Sequence, residues 1–89
     1  MPLVQFSANL ARHTPAPDCH VVADTVAGAL AAVFGSHPPL RSYVLDDQGA
    51  LRKHVAIFVD GTCMVDRQTL SDALRPDSEI LVVQSLSGG

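Results

Sequence analysis

An α+β fold, with a single main helix lying across one face of a mixed sheet, is what this sequence predicts. Three observations carry the expectation. One sustained stretch, residues 24–34, repeats its apolar positions at helical spacing; β-branched runs flank it on both sides in the order β-β-α-β-β-β; and 89 residues hold one modest core. A chain this short buries roughly 60–65% of the surface it exposes when unfolded. That leaves little room for a deep cleft, so self-contained enzyme chemistry starts at a disadvantage.

Leu3-Val4-Gln5-Phe6 reads as a first strand with Val4 and Phe6 on one face, and Ser7-Ala8-Asn9 breaks its pattern. Arg12 to Asp18, with Thr14, Pro15 and Pro17, is a turn region. Cys19-His20-Val21-Val22 then returns as a second strand antiparallel to the first. Asp24-Thr25 offers a side-chain N-cap, and Val26, Leu30, Val33 and Phe34 form the apolar stripe of a helix filled out with alanine. Gly35-Ser36-His37-Pro38-Pro39 supplies the stop, with Gly35 expected in a left-handed C-terminal position.

Leu40 to Leu45 adds a helical turn that packs Leu40 and Val44 under the domain, and Asp46-Asp47-Gln48-Gly49 turns the chain. The apolar run Val55–Val59 ending in Asp60-Gly61 is a hairpin signal, with Thr62 to Val65 as the returning strand. Leu70 and Leu74 are expected to be buried by irregular structure. Pro76-Asp77-Ser78 then leads into Ile80-Leu81-Val82-Val83, the most β-prone run and hence the expected central strand. Alternation sends Ile80, Val82 and Ile57 toward the helix, which predicts an outward cluster of Phe58, Leu81 and Val83 suited to docking a partner.

Charge and composition narrow the function. Six Lys and Arg stand against nine Asp and Glu, for a formal charge of −3 and a pI near 5.6, which disfavours nucleic acid as a partner. There is no Trp, one Tyr and three Phe, so no platform for stacking bases. Apolar runs fall far short of the ~18–20 residues that span a bilayer, and Met1-Pro2-Leu3 lacks a basic leader; no membrane partner and a cytoplasmic location are expected. Arg12, Arg41, Arg52 and Lys53 balance Asp18, Asp24, Asp46 and Asp47, whereas residues 60–89 set Arg67 and Arg75 against Asp60, Asp66, Asp72, Asp77 and Glu79. The C-terminal third thus carries the whole −3, and an acidic field beside the tail would steer it to a basic partner surface.

Cys19 and Cys63 lack a CxxC or zinc-type companion, and His13, His20, His37 and His54 lack ligand spacing; free thiols, no metal site and no catalytic residue are expected. The informative segment is Gln84-Ser85-Leu86-Ser87-Gly88-Gly89. A paired glycine at two given positions arises by chance about once in two hundred chains. A carboxylate on Gly89, with Gly88 as its permissive neighbour, has no side chains beside it and can thread a narrow channel, while Leu86 suits a partner's groove. The alternative is a frayed tail after a strand. The carboxylate is an anion with a reference pKa of ~3.3–3.7 and needs activation, for instance by adenylation, before a sulfur or nitrogen nucleophile can attack it.

Element order and tail together resemble the ubiquitin-like β-grasp sulfur carriers of the molybdopterin-synthase small-subunit and thiamine-sulfur-carrier type (MoaD/ThiS family). The residues that carry the resemblance are Phe6-Ser7-Ala8-Asn9-Leu10-Ala11-Arg12, Asp24-Thr25-Val26-Ala27-Gly28-Ala29-Leu30, Phe58-Val59-Asp60-Gly61, and Leu74-Arg75-Pro76-Asp77-Ser78-Glu79-Ile80 leading to Leu86-Ser87-Gly88-Gly89. Leu51-Arg52-Lys53-His54 and Asn9-Leu10-Ala11-Arg12 look nearest to the carriers of cysteine biosynthesis. Asp60 departs from the Asn common there, and Ser85-Leu86-Ser87 from an Ala-rich approach to the glycines.

The resemblance implies a β-grasp domain over 1–84, with a mixed sheet of four to five strands and one main helix across one face, and a flexible tail over 85–89. It further implies a carrier that catalyses nothing. Gly89 would be adenylated by an E1-like adenylyltransferase using ATP, then converted to a thiocarboxylate that donates sulfur to a biosynthetic enzyme, with no permanently bound cofactor. The rival readings are a small subunit of molybdopterin synthase, a ubiquitin-like protein modifier, and a small enzyme using Cys19 or Cys63.

Overall fold

The computed structural model describes residues 1–11 and 17–84. Eight elements succeed one another: β1 (Leu3–Phe6), α1 (Ala8–Ala11), β2 (Cys19–His20), α2 (Val26–Ser36), α3 (Pro39–Val44), β3 (Val55–Val59), β4 (Thr62–Cys63) and β5 (Glu79–Gln84). The strands form one mixed sheet in the order β2-β1-β5-β3-β4. β5 is central, parallel to β1 and antiparallel to β3, as its run of β-branched residues predicts.

The main helix forms where expected. Thr25, in extended conformation, caps α2 by accepting the Gly28 N–H on its hydroxyl at 3.1 Å, and Val26, Ala29, Leu30, Val33 and Phe34 are buried. That stripe lies against Val4, Ile57, Ile80 and Val82, so the core sits between α2 and the inner sheet face. α3 tucks Leu40 and Val44 under the same core. Gly49, at φ +81, and the Asp46 carboxylate, which accepts the Gln48 and Ala50 N–H groups at 2.8 and 3.0 Å, make the following turn. The β3–β4 hairpin turns on Asp60 (φ 51) and Gly61 (φ 84), both left-handed as a two-residue hairpin requires.

Several details differ from the sequence expectation. Gly35 is not left-handed; it lies inside α2, which runs on to Ser36 and closes with the His37 N–H on the Val33 carbonyl at 2.8 Å. The stop comes instead from Pro38-Pro39, which also starts α3. β2 spans two residues rather than four: the Val21 N–H still bonds Pro2 O, but Val22 turns outward and is 83% exposed. β4 is likewise cut to Thr62–Cys63, because Met64 plugs inward after its N–H bonds Ile57 O while Val65 faces solvent. A helical turn, α1, follows the break after β1 and packs on β5. Leu70 is buried and Leu74 is half-buried. No helix among the described residues is long and apolar enough to cross a membrane.

Candidate functional site

With α2 covering the inner face, the outer face of the sheet is left to solvent, and alternation decides which side chains stand on it. Phe58 and Leu81 are directly opposite one another across β3 and β5, and Val83 stands opposite Ala56 two residues further along, on the same face. The three residues expected to cluster do so. Leu81 is 39% exposed, and Phe58 and Val83 are half-buried. An open groove of about 540 Å³ runs over Phe58 and Leu81 between Gln5, Asp60, Gly61 and Glu79; Val83 lies outside its lining.

Sequence reading alone missed the polar half of this face. Gln5 is in register with Leu81 on the β1 side, and its amide Nε2 donates to the Asp18 carboxylate at 3.2 Å. Glu79 shares the parity of Leu81 and Val83 along β5. That parity was readable, given the strand. What was not readable is that the Asp60 turn reaches back to the start of β5: its carboxylate accepts the Glu79 N–H at 2.9 Å and the Ser78 hydroxyl at 3.0 Å, and meets the Arg75 guanidinium at 3.5 Å. The Glu79 N–H foremost holds the Asp60 carboxyl below its ordinary range; desolvation, the next largest effect, opposes it, and Ser78 and Arg75 add to the lowering. Ser78, 2% exposed, completes the clasp by accepting the Arg75 N–H at 2.8 Å.

At the opposite end, β5 finishes beside two anchors. The Gln84 N–H donates to Ser7 Oγ at 3.3 Å, and Gln84 pairs with Val55, the first residue of β3. Arg67 fixes that corner by donating to the carbonyls of Arg52 and Val55 at 2.7 and 2.8 Å. Leu86, Ser87, Gly88 and Gly89 follow in sequence and lie outside the described residues.

The acidic field is therefore not where linear order put it. Asp60, Asp77 and Glu79 gather at the start of β5, and Glu79 and Gln84 are the two ends of that six-residue strand, about 17 Å apart. Asp66 instead organises its own loop, accepting the hydroxyl of Thr69 and, at 2.7 Å, that of Ser71, together with their N–H groups at 3.1 and 3.2 Å. The Thr69 hydroxyl foremost, with Ser71, pushes the Asp66 carboxyl well below the carboxylate range.

Cys19 and Cys63 are free thiols; Cys19 donates to Pro17 O at 3.3 Å, and Cys63, exposed, stands opposite Phe58. Among the described residues the Cys19 and Cys63 thiols hydrogen-bond backbone carbonyls, Pro17 O and Met64 O.

No protein-family model matches the chain. It is 34% identical over 65 residues to small archaeal modifier protein 1 of Haloferax volcanii, covering 73% of this chain and 70% of that one. A crystal structure of the same Haloferax volcanii protein superposes with a TM-score of 0.76 at 30% identity, covering 99% of this chain and 98% of the other. A chain of the BexX/CysO complex of Amycolatopsis orientalis gives a TM-score of 0.83 over all of both chains at 14% identity, a likeness of fold.

Proposed function

The chain belongs to the family of small archaeal modifier protein 1, ubiquitin-like β-grasp proteins that are not enzymes, and from that premise we propose that it is a sulfur carrier working through Gly89. What supports this is the junction of fold and sequence: the central strand of the sheet ends at Gln84, anchored by Ser7 and Val55, and Gly88-Gly89 follows a few residues on.

The chemistry belongs to the terminus and to its partners. A carboxylate oxygen of Gly89 attacks the α-phosphorus of ATP on an E1-like adenylyltransferase, and pyrophosphate leaves. A sulfur nucleophile such as hydrosulfide then attacks the carbonyl carbon of the acyl-adenylate, AMP leaves, and a thiocarboxylate remains. The glycines keep the carbonyl open to both attacks. Phe58, Leu81 and Val83 dock the domain on the activating enzyme and then on the biosynthetic enzyme that accepts the sulfur, in cofactor or cysteine biosynthesis.

The test is the intact mass of the chain after incubation with ATP, an E1-like enzyme and sulfide, with a Gly89-deleted control. Replacement of oxygen by sulfur adds about 16 Da to the full chain alone. No gain with a competent activating enzyme refutes the proposal. A second reading is favoured by the name of the Haloferax relative: a lysine amine as nucleophile would make the chain a protein modifier, seen as conjugates heavier by one chain. A stable stoichiometric complex with a larger catalytic subunit would instead mark the small subunit of a molybdopterin synthase.

A further inference from the structure

Resting on the carrier reading, we propose a second fate for the activated terminus. Lys53, the chain's one lysine, captures its own Gly89 carbonyl when the acyl-adenylate meets no sulfur nucleophile, closing residues 53–89 into a ring.

Chemistry and position both single out this side chain. The other basic residues outside histidine are arginines, whose guanidinium stays protonated and does not attack a carbonyl. Lys53 is exposed in the turn that opens β3, and side chains and backbone hold that turn in place. The Val55 N–H donates to Arg52 O at 3.0 Å, Arg67 donates to the carbonyls of Arg52 and Val55, and Arg52 Nε donates to Ser42 O at 2.7 Å. The amine thus stands on a fixed base. Val55 is opposite Gln84, so the Lys53 Cα lies within about 13 Å of the Gln84 Cα. Residues 85–89 span about 17 Å when fully extended, and the flexible lysine stem covers part of the gap. The ring therefore closes with slack. The α-amine on Met1 is at the far end of the sheet, where Leu3 pairs with Glu79, about 17 Å from Gln84.

The step balances with the ATP already consumed in activation. The Lys53 Nζ lone pair attacks the Gly89 carbonyl carbon, AMP leaves with the bonding pair, the amine gives a proton to water, and an amide replaces the acyl phosphate. A short tether gives that amine an effective concentration of about millimolar, so sulfide must match it or be favoured by geometry. A tail held extended in a narrow channel, away from the domain, keeps Gly89 about 17 Å from Gln84 and from the reach of Lys53. The ring then records adenylate that left the channel before sulfur arrived.

The full chain is incubated with ATP, the E1-like adenylyltransferase of the same organism and pyrophosphatase, without sulfide, and read by intact mass; ATP–pyrophosphate exchange is followed separately. A single-chain species lighter by about 18 Da is expected, with a tryptic fragment joining Gly89 to Lys53. Lys53→Arg should lose that species while its exchange rate stays within about twofold. Sulfide at about 10 mM and above should replace the loss by a gain of about 16 Da. Exchange without any mass loss overturns the proposal, as does a loss that persists in Lys53→Arg. Two chains joined, with no single-chain ring, would give the amine to a second copy and overturn it too. A second measurement needs no enzyme: carbodiimide activates the carboxyls directly, and peptide mapping is expected to find Gly89 joined to Lys53, beside a short link from Asp46, which lines the same hollow. Gly89 joined to Met1 instead, or to neither amine, refutes the self-capture. Absence of exchange beside a Gly89–Lys53 carbodiimide link refutes the carrier chemistry and leaves the reach of Lys53 established.

Discussion

Ser78→Ala tests the clasp that joins the Asp60 turn to the start of the central strand. The hydroxyl is buried at 2% exposure; it donates to Asp60 at 3.0 Å and accepts the Arg75 N–H at 2.8 Å. Alanine fits the space, so what is lost is hydrogen bonding. A part-buried Arg75 N–H left without an acceptor costs about 1–3 kcal/mol. The lost O–H bond to the carboxylate adds less than a buried one would, because the Asp60 side chain is 32% exposed and water replaces part of the interaction. Together Ser78→Ala should destabilise by about 2–3 kcal/mol, or lower the melting temperature by about 10–20 °C for a domain of this size. Urea unfolding followed by circular dichroism measures the change, with a cycle through Asp60→Ala to isolate the coupling. A loss under about 0.5 kcal/mol refutes the argument. So does an undiminished loss in the Asp60→Ala background, since the clasp would then not couple the two residues.

Other perturbations separate core, backbone, charge and surface. Ile57→Ala removes a fully buried side chain from between α2 and the sheet and should cost about 2–5 kcal/mol in urea unfolding. Gly61→Ala meets no atom within 4 Å, so its cost is that of holding φ +84 with a Cβ, about 1–2 kcal/mol, measurable as a lower melting temperature with the fold unchanged. The lowered carboxyls of Asp66 and Asp60 bind protons less readily folded than unfolded. The stability they contribute is complete above the unfolded carboxylate pKa, about 3.9, and is lost as pH falls through their lower folded values. Asp66→Asn should flatten the acid limb of a stability–pH curve while leaving the neutral plateau sloped as before. Leu81→Asp alters a side chain already 39% exposed; it should leave stability within about 1 kcal/mol yet abolish measurable binding to the adenylyltransferase.

Legibility in the sequence followed how local the deciding interaction is. α2 was readable because its cap, stripe and alanines act within eleven residues, and the β3 hairpin because Asp60-Gly61 encodes its own turn. Register then followed from alternation, which is why Phe58, Leu81 and Val83 were found together. The lengths of β2 and β4 depend on what their ends meet, Pro2 and Ile57, and no local pattern announces that. Gly35 looked like a stop because glycine so often is one, yet the next two prolines were sufficient to end the helix. Arg67 was visible only as a charge, although it secures the corner where β3 begins beside the end of β5. The acidic field was misplaced for a simple reason: nearness in sequence is not nearness in space once an extended strand intervenes. Gly89 and its neighbours were legible as chemistry alone.

The strand order carries a consequence for assembly. β1 pairs with β2 and β3 with β4, but these two pairs share no edge; β5 lies between them and is the last strand among the described residues. A chain emerging from its N-terminus therefore holds two separate ribbons, each marginal alone, until residues 79–84 arrive to stitch them together. Leu81 and Val83 come with that same strand, so the outer face does not exist on an unfinished molecule. A partner that reads this face would engage only a sheet in which β5 already joins the two ribbons.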